Sequence, residues 1–162
     1  MTKLHTVPFL INGSDHTNDK VIDVVSPSSG EVIHQYHSAD VKEANAAVDA
    51  AAEAFKSWRK TRPSDRRDLL FKAAEIMERR RDELRSYAMS ETGSDATWAN
   101  FDITTAISHI KEVAGRVGTL EGAIPITSDP STTALVLREP YGVVLAIAPW
   151  HVVHPLLYQN IH

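Results

Sequence analysis

The sequence predicts an α/β fold of the α+β fragment type, and three observations carry that expectation. Short apolar words separated by turn residues fill residues 7–37, three amphipathic helical patterns follow from Ser38 onward, and strand chemistry returns in "TTALVLREP" and "GVVLAIA". The expected order is an N-terminal β-hairpin or meander, then three helices, then C-terminal strands.

The first words, "VPFLING", "VIDVV" and "EVIHQYH", are separated by Asn12-Gly13 and by Pro27-Ser28-Ser29-Gly30. Those residues favour tight turns between short strands. Val41, Ala44, Val48, Ala51, Phe55 and Trp58 then recur at three- and four-residue spacing, which puts them on one face of a helix over 41–58. Asp40 followed by Glu43 is a capping box, in which each carboxylate satisfies a first-turn amide.

A second helix is expected over 64–92, with Leu69, Leu70, Ala73, Ile76, Met77, Leu84, Tyr87 and Ala88 inward and Gly93 at its end. Asp95 caps a third, whose inward stripe is read as Trp98, Phe101, Ile107, Ile110, Ala114 and Val117, with Gly122 as terminator. "GVVLAIA" is apolar throughout, as in a strand covered on both faces. The break at Pro140-Tyr141-Gly142 divides residues 1–140 from residues 141–162, where the first strand of a further domain begins.

Composition narrows the function classes. With 162 residues the chain holds one ordinary domain, and 43% hydrophobic with 23% charged residues is a globular balance. A net charge of −4 leaves no basic footprint, and Arg79, Arg80 and Arg81 sit among Glu75, Glu78, Asp82 and Glu83, so no nucleic-acid partner is expected. The apolar run "GVVLAIA" is far short of the roughly 20 residues of a membrane span, and the N-terminus lacks a signal-peptide core, so the expected location is the cytosol with no membrane partner. There are 0 cysteines, which removes thiolate nucleophiles and thiolate metal ligands from this chain.

Five words in order, "FLING", "SPSSGEVI", "VKEANAAVDAAAEAFKSW", "RPSDRRDLLFKAAEIMERRRDELRSYAMSETG" and "REPYGVVLAIAPW", resemble the amino-terminal third of the aldehyde dehydrogenase superfamily. The resemblance covers residues 8–150 and implies hairpin and helices packed around an NAD(P)-binding domain, with an oligomerisation strand before "REP". It implies cofactor contact at Ile147, Pro149 and Trp150, and an oxyanion-stabilising asparagine after the "PW" pair. That last position is His151 here, and losing one oxyanion donor typically costs roughly 3–4 kcal/mol.

The family's chemistry also needs a cysteine nucleophile, a nicotinamide to take hydride and a carboxylate to activate water. Without a cysteine or a glycine-rich strand-to-helix turn, the chain is expected to bind no cofactor and to be inactive as a dehydrogenase. The tail after Trp150 is read as departing from the family pattern, which suggests an interrupted reading frame.

Other constellations have simpler explanations. His151 and His154 have zinc-like spacing, but Pro155 breaks a helix there and His162 is the nearest further imidazole. Glu91, Asp95 and Asp102 would make a carboxylate site, yet capping and solvation account for them. His109 among Ile107, Ile110 and Val113 fits a locally bonded helix-face histidine. Arg66, Arg67, Arg79, Arg80, Arg81 and Arg85 fit an ion-paired surface, and Trp58, Trp98 and Trp150 fit core or interface anchors.

Two alternatives to a silent fragment remain open at this point. One is a repurposed non-redox enzyme, isomerase- or cyclase-like, acting on a metabolite; the other is an interaction module that self-associates or pairs with a full-length homologue through its strand edges.

Overall fold

A computed structural model describes residues 4–147. Its first quarter is β-structure, as the turn residues predict. β1 (Thr6–Val7) and β2 (Phe9–Ile11) are followed by β3 (Ser14–His16), β4 (Val21–Val25) and β5 (Val32–His37). Asn12 and Gly13, at φ 53° and 76°, close the β2–β3 hairpin, with Ile11 paired to Ser14. Two consecutive positive φ values give the twist that two-residue hairpins prefer.

The remaining strands form a separate sheet in the order β1-β5-β4, where β1 runs parallel to β5. That parallel pairing is a departure from a simple meander. Val21–Val25 pairs antiparallel with β5, with an irregularity at Val24/Val25 just before the Pro27–Gly30 turn.

α1 (Val41–Trp58) starts as expected: Asp40 Oδ1 accepts from the Lys42 amide at 2.9 Å and Glu43 Oε2 from the Asp40 amide at 3.0 Å. Its apolar stripe is mostly in water: Val41, Val48 and Trp58 are exposed, Phe55 is half-buried, and no residue of α1 is fully buried. The expected single helix over 64–92 is two: α2 (Pro63–Arg79) and α3 (Arg81–Thr92), parted at Arg80 where ψ opens to 13°. Local ion pairs stabilise each side of that break, Arg80 to Glu83 and Arg81 to Glu78, each at 2.8 Å. The inward set shifts with it. Ala74 is fully buried and Leu70, Met77 and Leu84 pack on the core, whereas Leu69, Ile76 and Tyr87 face outward.

α4 (Ala96–Arg116) carries the core. Ala99, Ile103, Ala106, Ile107, Ile110 and Ala114 are buried, and Ile103, Ile107 and Ile110 cluster with Ala74 of α2, with Leu70, Met77 and Leu84 packed on them. The stripe is therefore rotated from the expected one, because Trp98 is 50% and Phe101 57% exposed. Phe101 lies two residues from both Ala99 and Ile103, about 200° around the helix. The helix also ends before Gly122, running into a 3₁₀ turn at Val117–Thr119. Gly122 has a different duty: a Cβ there would stand 2.4 Å from the carbonyl oxygen of Val136. That close approach lets Ala123 and Val136 exchange backbone bonds of 3.0 and 2.8 Å.

Beyond this bridge, residues 137–147 form no strand ladder. A strand apolar on both faces needs neighbouring strands for its amides and its side chains, and none of the five described strands pairs with it. Leu135, Leu137, Tyr141, Leu145 and Ile147 are accordingly exposed.

The sheet meets the helices at a small seam. His34 Nε2 on β5 lies 3.4 Å from Glu91 Oε1 near the end of α3, and Pro27 and Ser28 of the β4–β5 turn press on Gly93. Gly93 has φ 71°, and a Cβ on it would stand 2.9 Å from Pro27 Cγ and 3.3 Å from Ser28 Oγ.

Two outcomes follow for stability. Ile103→Ala or Ile110→Ala removes a fully buried side chain, so each costs about 2–5 kcal/mol in urea unfolding followed by circular dichroism, while Ile126→Ala, at a fully exposed position, stays within about 0.5 kcal/mol. Equal effects at all three sites would contradict the placement of the core. Gly30→Ala, at φ 73° with nothing within 4 Å of the new Cβ, costs only the left-handed backbone penalty of about 1–2 kcal/mol. Gly93→Ala costs about 1 kcal/mol or more beyond that, because Pro27 must move; matching losses would show that the seam does not press there.

Candidate functional site

The residues that the sequence ties to a cofactor are not assembled into a cradle among the described residues. Ile147 is 79% exposed in irregular chain, and Pro149, Trp150 and His151 lie outside the described residues. A dinucleotide pyrophosphate sits where a glycine-rich turn leads a strand into a helix N-terminus. Here β5 enters α1 through Ser38-Ala39-Asp40, while Gly115 and Gly118 lie at the C-terminal end of α4. The described residues therefore do not fit a nicotinamide dinucleotide, and no hydride step is assigned to them. His154 and His162 also lie outside the described residues, among which no group of three His, Asp or Glu side chains converges as metal ligands.

The three carboxylates named from the sequence have separate duties. Glu91 faces His34 across the seam, Asp95 accepts the Trp98 amide at 2.8 Å as the α4 cap, and Asp102 is buried on α4. His109 lies on the same helix with its Nδ1 buried and without a hydrogen-bond partner among the described residues.

The arginines form an ion-paired surface rather than an anion site. Arg62 binds Asp65, Arg67 binds Asp68, Arg85 binds Asp82, and Arg66 donates to the Thr61 carbonyl. Hydrogen bonds from Arg62, Arg81 and Arg80 hold the carboxyls of Asp65, Glu78 and Glu83 below the usual range. Arg81 also reaches across to Thr104 Oγ1 at 2.9 Å, joining α3 to α4.

Two open grooves are present among the described residues. One, about 660 Å³, runs along the start of α1 between Asp40, Val41, Lys42, Asn45, Ala46 and Asp49. The other, about 320 Å³, is formed at the start of α4 by Asp95, Thr97, Trp98 and Phe101. There the Trp98 and Phe101 rings lie 5.5 Å apart, tilted by 37°. This second groove contains aromatic surface, a hydroxyl and a carboxylate; it holds no thiol, and its carboxylate is engaged as a helix cap.

Sequence reasoning placed Trp98 and Phe101 in the core and did not single out His34. The signal for the aromatics was present in the small residues: Ala99, Ala106 and Ala114 keep helical register with Ile103 and Ile110, and following the alanines instead of the rings gives the observed face. His34 had no such signal, since its partner is 57 positions away in the chain (91 − 34).

Residues 14–161 match the profile of the aldehyde dehydrogenase family. That span includes the tail after Trp150, which corrects the expectation that the family pattern stops there. Vanillin dehydrogenase of Pseudomonas sp. (strain HR199 / DSM 7063) is 36% identical over 147 residues, covering 90% of this chain and 30% of the relative. 1-Pyrroline-5-carboxylate dehydrogenase of Bacillus subtilis (strain 168) is 35% identical over 145 residues, covering 89% of this chain and 28% of the relative. The crystal structure of a salicylaldehyde dehydrogenase from Pseudomonas putida G7, complexed with salicylaldehyde, superposes with a TM-score of 0.90 at 30% identity, covering 98% of this chain and 33% of that one. The chain thus spans about 30% of the length of the curated relatives it matches. With a profile match over nearly all its residues and the same fold in a solved relative, the chain belongs to the aldehyde dehydrogenase family.

Proposed function

We propose that these 162 residues are a non-catalytic scaffold portion of an NAD(P)-dependent aldehyde dehydrogenase fold, which acts by docking onto the remainder of such a fold and has no dehydrogenase activity of its own. The observation that carries the reading is the uncovered apolar surface. α1 has an apolar stripe with no buried residue, and the segment from Leu120 to Ile147 exposes Leu120, Ile124, Ile126, Leu135, Leu137, Leu145 and Ile147. Exposed apolar side chains in such number on one helix stripe and one arm are the surfaces a partner covers, and unpaired apolar chain recruits strands. The occupant this reading assigns is the catalytic part of the family fold, contributed by the rest of a longer chain or by a full-length homologue.

The chemistry points the same way. Oxidising an aldehyde to an acid by the family route requires a thiolate to attack the carbonyl carbon, and these residues include 0 cysteines. What they can supply is position: a packed α2–α4 core on which the sheet, the arm and the α4 groove are held. The two open grooves contain no histidine, and two of their carboxylates, Asp40 and Asp95, are engaged as helix caps, so a non-redox enzyme draws little support from them.

The test uses the purified 162-residue chain. Incubated with vanillin or salicylaldehyde and NAD⁺ or NADP⁺, it is expected to produce no reduced dinucleotide. Mixed with the complementary two-thirds of vanillin dehydrogenase, it is expected to co-elute on size exclusion as a complex. Turnover by the chain alone, or a clean monomer that ignores the complementary part, would overturn the proposal.

A further inference from the structure

We propose that Asn12 is a site of covalent self-modification: its side-chain amide is lost through an imide formed with the Gly13 nitrogen, and the isoaspartate that results undoes the β2–β3 hairpin.

The reaction needs an asparagine amide carbon and the main-chain nitrogen of the next residue. The Gly13 nitrogen gives its proton to base and bonds to Asn12 Cγ, the Cγ–Nδ2 bond breaks, and the departing nitrogen takes up a proton and leaves as ammonia. Water then opens the imide ring. Opening between Cγ and the nitrogen gives an ordinary aspartate. Opening at the main-chain carbonyl leaves the chain running through the side-chain carbon, as an isoaspartate with a free α-carboxylate. A Cβ on the following residue crowds the attacking nitrogen, and glycine has none. Of the five asparagines, Asn12 alone precedes a glycine; the others precede Asp19, Ala46, Phe101 and Ile161.

The structure separates them further. Asn12 and Gly13 are exposed, and a Cβ built on Gly13 would meet nothing within 4 Å, so base and water reach the nitrogen. The Gly13 amide stands outside the Ile11–Ser14 pair. Asn18, by contrast, is tied at both ends of its side chain: Nδ2 donates to the Ser38 carbonyl at 2.9 Å and Oδ1 accepts from the Lys20 amide at 3.1 Å. Asn45 and Asn100 lie inside α1 and α4, where the next amide is spent on the carbonyl four residues earlier. Asn160 lies outside the described residues.

Ring closure turns the Asn12 side chain and the Gly13 amide toward each other, so the hairpin must yield. Little holds it. β2 and β3 pair with each other alone, over three residue pairs, and β3 is exposed along its length. A lone two-stranded hairpin is marginal at best in water. Aspartate at position 12 preserves the turn, because Asp-Gly suits the same two-residue geometry. Isoaspartate adds a main-chain carbon between Ile11 and Ser14, which breaks the register and parts Phe9 from His16, now stacked at 6.1 Å.

Peptide mass mapping of the full 162-residue chain, kept folded in mildly alkaline buffer, tests this. Asn12 is expected to gain about one dalton at least tenfold faster than Asn18, Asn45 or Asn100. The aged chain is expected to accept methyl groups from S-adenosylmethionine through a protein isoaspartate O-methyltransferase. Asn12→Gly, which removes the amide and keeps a favoured turn, abolishes that methylation. By NMR the Phe9–His16 contact persists in Asn12→Asp and is lost in the isoaspartate form. Equal rates at the four asparagines would overturn the proposal. So would modification confined to the urea-unfolded chain, methylation that survives Asn12→Gly, or an isoaspartate form that retains the Phe9–His16 contact.

Discussion

α4 packs on α2 through alternating alanine and isoleucine, and the rest of the described structure depends on that contact. Ala99, Ala106 and Ala114 bring the helix surface close, while Ile103 and Ile110, both fully buried, fill the space beside Ala74. Small residues allow short separations between helices, and interdigitated isoleucines then reach interior packing density. α3 is tied to this pair by Leu84 and by the Arg81–Thr104 bond, and the sheet by the seam at His34, Glu91 and Gly93. Each attachment leads back to the α2–α4 contact.

The same feature limits what the chain can stabilise alone. Among the described residues, five of the eight buried apolar ones are alanines (74, 88, 99, 106 and 114), so the core they form removes little apolar area from water. Meanwhile Val41 is 75% exposed on α1, and the arm after Leu120 leaves its leucines and isoleucines in water. The apolar content that composition promised is present, but much of it is outside. This imbalance is the physical basis of the docking proposal, because covering α1 and the arm would add stabilisation that the described core does not supply.

Much of the local structure was legible from the residues. The Asp40–Glu43 box, the Asn12-Gly13 turn, the Asp95 cap and the Gly93 stop all fell where side-chain chemistry and positive φ require them. Three things were not. The break at Arg80 has no glycine or proline to announce it, and the charge run around it satisfies either one helix or two. The α4 face was misjudged because aromatic rings outweigh alanines in any hydrophobic count, although alanines dominate the actual contact. The strand character of "GVVLAIA" is a tertiary property, since local preference makes no ladder without neighbours. The sites divide similarly: the carboxylates were found but belong to a cap, a seam and a buried helix face, whereas the aromatic groove appeared only when the register of α4 was known.

That register gives α4 two faces that cannot be changed independently. One face carries the core, and the opposite face presents Trp98 and Phe101 within the first two turns. Asp95 serves both, because the oxygen that caps the helix belongs to the carboxylate that sets the charge of the groove. Replacing it by a residue without a capping oxygen loosens the first turn and moves the rings, so helix stability and the geometry of the groove change together. Replacing it by asparagine separates them, since the cap persists while the charge disappears. The start of α4 therefore ties an exposed aromatic pair and one fixed charge to the helix on which the described fold depends.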